Sequence, residues 1–148
     1  KKGFFCRLTP RGMHDYLNNR SGLLGIGGSS DIPELIKREK AGDEQSLLAL
    51  NTYIYNVQKG IAEMVSALGG IDALALTGTV CERSIDIRHH LMDRLQYLDF
   101  ILDELANAGY LKTSDPQIIS KLTHSKPIFI VPTNESSEIL KAVQLLNP

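Results

Sequence analysis

An α/β fold is predicted by three features of the sequence: a helical repeat of apolar residues from 43 to 68, and two short apolar runs, 71–76 and 127–132, each followed by a turn and a fresh helical pattern. The runs are too short and too evenly apolar for amphipathic helices and suit strands buried on both faces. Strands alternating with helices define the α/β class, in which ligands sit beyond the carboxyl ends of the strands. The turns at residues 77–84 and 132–136 are therefore the places to look for chemistry. With 148 residues, 43% of them hydrophobic, the chain is expected to bury one core and form one domain over residues 1–148.

In order, residues 12–19 suit a short helix. Residues 21–31 mix glycines and hydroxyl residues with Leu23, Leu24 and Ile26, and are read as a structured loop anchored by those apolar side chains. A short helix follows, with Asp31 as N-cap, Pro33 in the first turn, Glu34 aiding the helix dipole, and an end near Gly42. Leu47, Leu50, Ile54, Val57, Ile61, Met64, Val65 and Leu68 recur every three or four residues and predict a long amphipathic helix ended by Gly69-Gly70. After the strand at 71–76, Ser84 caps a helix whose buried face is Ile87, Leu91, Leu95 and Leu98. Residues 107–125 are less regular, 127–132 form the second strand, and 135–146 close the chain as a helix.

The balance of 16 basic and 17 acidic residues leaves no excess positive charge to track a nucleic acid or an anionic membrane surface, so neither is an expected partner. Cys6 and Cys81 are far apart and lack metal-ligand spacing, which signals neither a disulfide framework nor a zinc site and fits a cytoplasmic setting. No apolar run approaches the roughly 20 residues of a membrane-spanning helix. The opening Lys1-Lys2-Gly3-Phe4-Phe5-Cys6 leads into no long apolar segment, and the Lys1 start is read as that of a piece of a longer protein.

Three stretches together resemble the acetate and propionate kinase family, part of the larger group of sugar kinases, heat-shock ATPases and actin, with its ribonuclease H-like fold. Leu17-Asn18-Asn19-Arg20-Ser21-Gly22-Leu23-Leu24-Gly25-Ile26 is similar to the family's L-N-K-K-S-G-L-L-G-I, and Ser29-Ser30-Asp31 resembles the opening of its S-S-D-x-R segment. Leu68-Gly69-Gly70-Ile71-Asp72-Ala73-Leu74-Ala75-Leu76-Thr77-Gly78 resembles G-G-[VI]-D-A-[IL]-V-F-T-G, with Ser84 and Arg88 also aligning. Ile130-Val131-Pro132-Thr133-Asn134-Glu135 is similar to V-[IV]-P-T-N-E. The likeness runs from about Leu17 to the end and corresponds to the C-terminal, nucleotide-side part of a longer family chain, so the N-terminal domain is expected to lie outside it.

The resemblance implies phosphate transfer between ATP and acetate or another short-chain carboxylate, with Mg2+ as cofactor, ATP/ADP as ligand and a homodimer as the assembly. It assigns nucleotide contact to Asp31, Ile32, Gly78, Thr79, Val80 and Glu82, and magnesium to Glu135. The family's substrate-contacting arginines and catalytic histidine belong to segments outside this chain, which alone is expected to be inactive. The chain also departs from the family pattern. Pro33 stands where the family has an arginine able to stack on adenine. Thr79, Cys81 and Arg83 replace two glycines and an asparagine of T-G-G-I-G-E-N-S, and Ser136 replaces a second glutamate. These changes keep two alternatives open: a degenerate module for nucleotide binding or dimerisation, and a carboxylate kinase with another phosphoryl donor.

Each candidate also has a plain structural role. A glutamate in a helix's first turn, such as Glu135, is favoured by the dipole alone, and Glu82 reads equally well as a solvated loop carboxylate. His89-His90 are adjacent on a helix and face different directions, without a third ligand, so a metal site is not expected. Cys81 has no catalytic partner spacing, and His14 and His124 fall in no pattern.

Overall fold

A computed structural model of the protein describes residues 8–111 and 113–146, without the side chains of residues 136, 145 and 146. The Lys1–Cys6 start and the Cys6 thiol lie outside the described residues. The chain divides into two compact units at the step from Glu63 to Met64, within a helix.

The first unit is helical: α1 (Pro10–Asn19), α2 (Gly22–Gly27), α3 (Ile32–Lys40) and most of α4 (Glu44–Leu68). Thr9 caps α1, its hydroxyl accepting from Gly12 N at 3.1 Å. The glycine-rich segment expected to be a loop is the helix α2, closed by Gly28 in the left-handed region at φ 73°. Of the expected anchors, Leu23 and Ile26 are half-buried and Leu24 is exposed, while the fully buried residue is Gly27, where a Cβ would stand 2.7 Å from Leu35 Cδ2 and 2.9 Å from Ala49 Cβ. Only a glycine lets helix backbone come this close to its neighbours.

Asp31 occupies the N-cap position of α3, but its side chain caps nothing. Ser29 acts instead: its hydroxyl donates to Glu34 Oε2 at 2.6 Å and accepts from Asp31 N at 3.1 Å. At the start of α4, Asp43 accepts from Ser46 Oγ at 2.6 Å, Gln45 N at 3.2 Å and Arg38 Nε at 2.9 Å. The Ser46 hydrogen bond leads in holding this carboxyl below its usual range, with Arg38 assisting. The apolar stripe of α4 is covered only in part. Ala49, Leu50 and Ile54 are buried, Val57, Ile61 and Val65 half-buried, and Leu47, Met64 and Leu68 exposed. Gly69 and Gly70 end the helix as expected, with Gly70 N donating to Val65 O at 3.1 Å.

The second unit contains β1 (Leu74–Leu76), α5 (Gly78–Arg83), α6 (Ile85–Met92), α7 (Glu104–Ala108), β2 (Gln117–Ile118), β3 (Ile128–Ile130) and α8 (Glu135–Leu146). The sheet order is β1-β3-β2, with β3 parallel to β1 (Leu76 opposite Ile130) and antiparallel to β2 (Gln117 opposite Ile130). This is the α/β arrangement expected, reduced to part of a domain. Leu76, Ile87, Leu91, Met92, Leu95, Phe100, Ile119, Ile128 and Ile130 are each under 5% exposed and make its core. Burying one such side chain contributes about 1.5–3 kcal/mol.

Ser84 caps α6, its hydroxyl accepting from Ile87 N at 3.1 Å. The helix stops at Met92, earlier than the Leu95 and Leu98 pattern implies. A 3-10 turn, Gln96–Leu98, follows and ends at Asp99 with φ 68°, whose carbonyl accepts from Lys126 N at 2.8 Å. That bond ties the chain beside the entry to β3, so Leu95 reaches the core from a turn. The stretch expected to be irregular holds β2, a two-residue strand that shows no period by itself and exists because β3 pairs with it. Among the described residues, no helix is long and apolar enough to cross a membrane.

Candidate functional site

Because β1 and β3 run parallel in register, their carboxyl ends emerge on the same side of the sheet, joined one step further by Val131 N donating to Leu76 O at 2.8 Å. The turn after β1 enters α5 at Gly78, which adopts φ 83°, a conformation that favours glycine. The turn after β3 is Val131 to Asn134, and the Asn134 side chain caps α8 by accepting from Ser137 N at 3.1 Å.

Glu82 connects the two turns. It is 6% exposed, and its Oε1 accepts from Gly78 N at 3.2 Å, Thr133 N at 3.0 Å and Thr133 Oγ1 at 2.8 Å. One carboxylate oxygen thus caps the start of its own helix and holds the turn that leads into α8. A buried carboxylate is tolerable only when donors converge on it in this way. The reading of Glu82 as a solvated loop residue is overturned. The sequence signal was present: a glutamate one helical turn after a strand-end glycine, and a threonine after the second strand.

Arg88 supports this corner from behind. It is 1% exposed, and its Nη1 donates to Cys81 O at 2.7 Å, its Nη2 to Asn107 O at 2.9 Å and its Nε to Asn107 Oδ1 at 2.5 Å. The guanidinium carbon lies 5.3 Å from the centre of the Tyr110 ring. Asn107, 0% exposed, in turn donates from Nδ2 to Ile85 O at 3.3 Å. The carbonyl oxygens at the end of α5 thereby gain donors that the helix cannot supply. Burial lowers the Arg88 pKa and raises that of the Cys81 thiol, which makes Cys81 a poor nucleophile.

Glu135 is the first residue of α8 and is exposed, two positions beyond the threonine that Glu82 grips. Thr79 and Arg83 are exposed on α5, and Val80 is half-buried. In the second unit, then, the structure brings Gly78, Glu82 and the residues leading into Glu135 to one corner. Asp31 and Ile32 belong to the first unit, where Asp31 is exposed and Ile32 half-buried at the start of α3.

Among the described residues no group of three His, Cys, Asp or Glu could hold a metal. Magnesium bound as a phosphate complex asks less of a protein, since it keeps most of its waters and takes one or two carboxylates. Glu135 fits that role. His89 Nδ1 meets Glu104 Oε1 at 2.7 Å, and the His89 and His90 rings stand edge to face with centroids 5.7 Å apart. His89 and Glu104 border a cavity of about 230 Å³ lined with Met92, Asp93, Ile101 and Lys121, which contains none of the candidate site residues.

Parallel strands whose carboxyl ends open on two helix-starting turns define an α/β fold with its ligand edge at those turns, and comparisons with known proteins give the class more narrowly. The profile of the Acetokinase family matches residues 6–141, and the chain belongs to that family. It is 38% identical over 124 residues to an acetate kinase of Dichelobacter nodosus, covering 83% of this chain and 31% of that protein. The crystal structure of Porphyromonas gingivalis acetate kinase superposes with a TM-score of 0.81 at 30% identity, covering 95% of this chain and 35% of that one. A propionate kinase from Francisella tularensis superposes with a TM-score of 0.77, also at 30% identity, over 86% of this chain and 32% of its own. The chain therefore spans about a third of the length of the relatives it matches.

Proposed function

We propose that the chain is the nucleotide-side part of a carboxylate kinase that transfers phosphate between ATP and acetate or propionate. The observation that supports this most is the joining of the two strand-end turns through Glu82, which sets the start of α5 and the start of α8 on one side of the sheet. In the reaction a carboxylate oxygen bonds to the γ-phosphorus as the bond from that phosphorus to the bridging oxygen breaks, giving an acyl phosphate and ADP. Such transfer is mostly positioning and charge neutralisation. In this reading the turn at Gly78, Thr79 and Val80 lies against the nucleotide, Asp31 and Ile32 contribute to the adenosine side, and Glu135 holds a water of the magnesium ion. Acid-binding groups come from the part of the family chain outside these residues, and the working protein is a homodimer.

The test is acyl phosphate formation by the protein that carries this chain, trapped as the hydroxamate, with magnesium and ATP, then with other phosphoryl donors, alongside Glu135→Ala. Product with ATP that vanishes in Glu135→Ala supports the assignment. Product only with another donor points to the altered α5 turn, where Thr79 and Cys81 stand in place of glycines. No product from folded protein with any donor leaves the non-catalytic module, the reading those same side chains favour.

A further inference from the structure

We infer that Glu82 is a positioning residue that couples the nucleotide-side turn to the metal-side turn, so that neither turn holds its working geometry without the other. This rests on the functional reading above and deepens it. The family resemblance assigns Glu82 to the nucleotide contacts, but its Oε1 is already engaged by three protein donors, two of them on a residue 51 positions away. The carboxylate is 6% exposed and lies on the inner side of a six-residue helix. Such an acceptor is suited to holding backbone in place.

The linkage is short and directional. Gly78 N belongs to the turn that approaches the nucleotide, and Thr133 N and Oγ1 belong to the turn that ends β3. Thr133 is followed by Asn134, the cap of α8, and by Glu135, an exposed carboxylate. Thr133 is two peptide units from Glu135, and Asn134 between them is fixed by its cap on Ser137 N, so a displacement of Thr133 is passed on to Glu135. The main chain of Glu82 is held independently, since Arg88 Nη1 donates to Cys81 O at 2.7 Å and, more weakly, to Glu82 O at 3.4 Å. The carboxylate thus acts from a fixed base, and removing its charge weakens the grip on both turns without removing the base.

Charge-assisted hydrogen bonds are about twice as strong as neutral ones, so the amide of Glu82→Gln is expected to loosen both turns while keeping the shape. The experiment has two readouts on the protein that carries this chain. In amide hydrogen exchange, Glu82→Gln should raise rates in residues 77–84 and 132–138 together, by about ten-fold, with α6 and the β1–β3 pair unchanged. Thr133→Val, which removes only the hydroxyl donor, should raise exchange in residues 77–84 although it lies in the other turn. In titrations with ATP, Glu82→Gln should weaken binding both with and without magnesium, and more with it, by about ten-fold, because the metal-side turn is loosened as well.

Exchange that rises in one turn only, or evenly through the chain, overturns the coupling and leaves Glu82 a local cap or a general stabiliser. Equal losses with and without magnesium also overturn it, since the metal-side turn would then depend in no way on Glu82. If the unaltered protein binds no nucleotide, the functional reading fails, and the exchange of the two turns still decides the coupling.

Discussion

Two glycine-bearing segments carry the family's motifs, residues 21–31 in the first unit and 77–84 in the second, and both are short helices where loops were expected. Their glycines do different work. Gly27 is required for space, because Leu35 and Ala49 close on the position where a side chain would begin. Gly78 is required for conformation: nothing lies within 4 Å of an added Cβ, but its φ of 83° is one that side-chain-bearing residues rarely adopt. The first segment is thus explained by packing alone. The second is explained by polar contacts that tie two turns together, and contacts of that kind mark a working site more than a core does.

The sharpest way to break this distinction is Arg88→Ala. It leaves the Asn107 oxygens and the Cys81 carbonyl without their donor in a buried place and opens a cavity, so a loss of about 3–5 kcal/mol is expected in denaturant unfolding. A loss under about 1 kcal/mol would show that the polar corner is not what holds the second unit together. Next, Gly27→Ala should cost about 1–3 kcal/mol by overpacking, and truncating Leu35 as well should recover part of it, since Leu35 Cδ2 is the nearer obstacle. At Gly78, alanine should cost about 1–2 kcal/mol, the penalty of the left-handed conformation, and no truncation of a neighbour should relieve it.

The smallest effect concerns the first unit and acid. Asp43 has its folded pKa depressed, chiefly by the Ser46 hydrogen bond. The stability it contributes is therefore complete above the ordinary carboxyl value of 3.8 and is lost as pH falls through the lower folded value. Carboxyl titration followed by NMR should place Asp43 below 3.8, and Ser46→Ala should move it back up. An unchanged titration in Ser46→Ala would mean that Arg38 holds the carboxylate on its own.

Much of the fold was legible because it is written in local patterns. The 3.6-residue period of α4, the glycine pair after it, the Ser84 cap of α6 and the two apolar strands all depend on neighbours in sequence. Helix, glycines and cap were found where expected, and the strands lie within the expected runs but are shortened to three residues each, with Ala75 of β1 exposed. The strand-end turns were legible for the same reason. What escaped depends on distant partners. Two-residue β2 has no pattern until β3 lies beside it, and Glu82 reads as a surface carboxylate until Thr133 arrives from 51 residues away. The buried Arg88 looks like any helix cation until Asn107, 19 residues on, is seen to meet it.

By itself, the sequence determined the long helix, the two main strands, the α/β class and, through three spaced motifs, the family likeness, since periodicity, caps and motif spacing are properties of neighbouring residues. Only the tertiary structure decided which polar groups are buried, that one oxygen of Glu82 joins both turns, and that the apolar face of α4 is covered at Leu50 and Ile54 but open at Met64 and Leu68. Burial and long-range hydrogen bonds are set by what the folded chain brings alongside, and no local pattern encodes that.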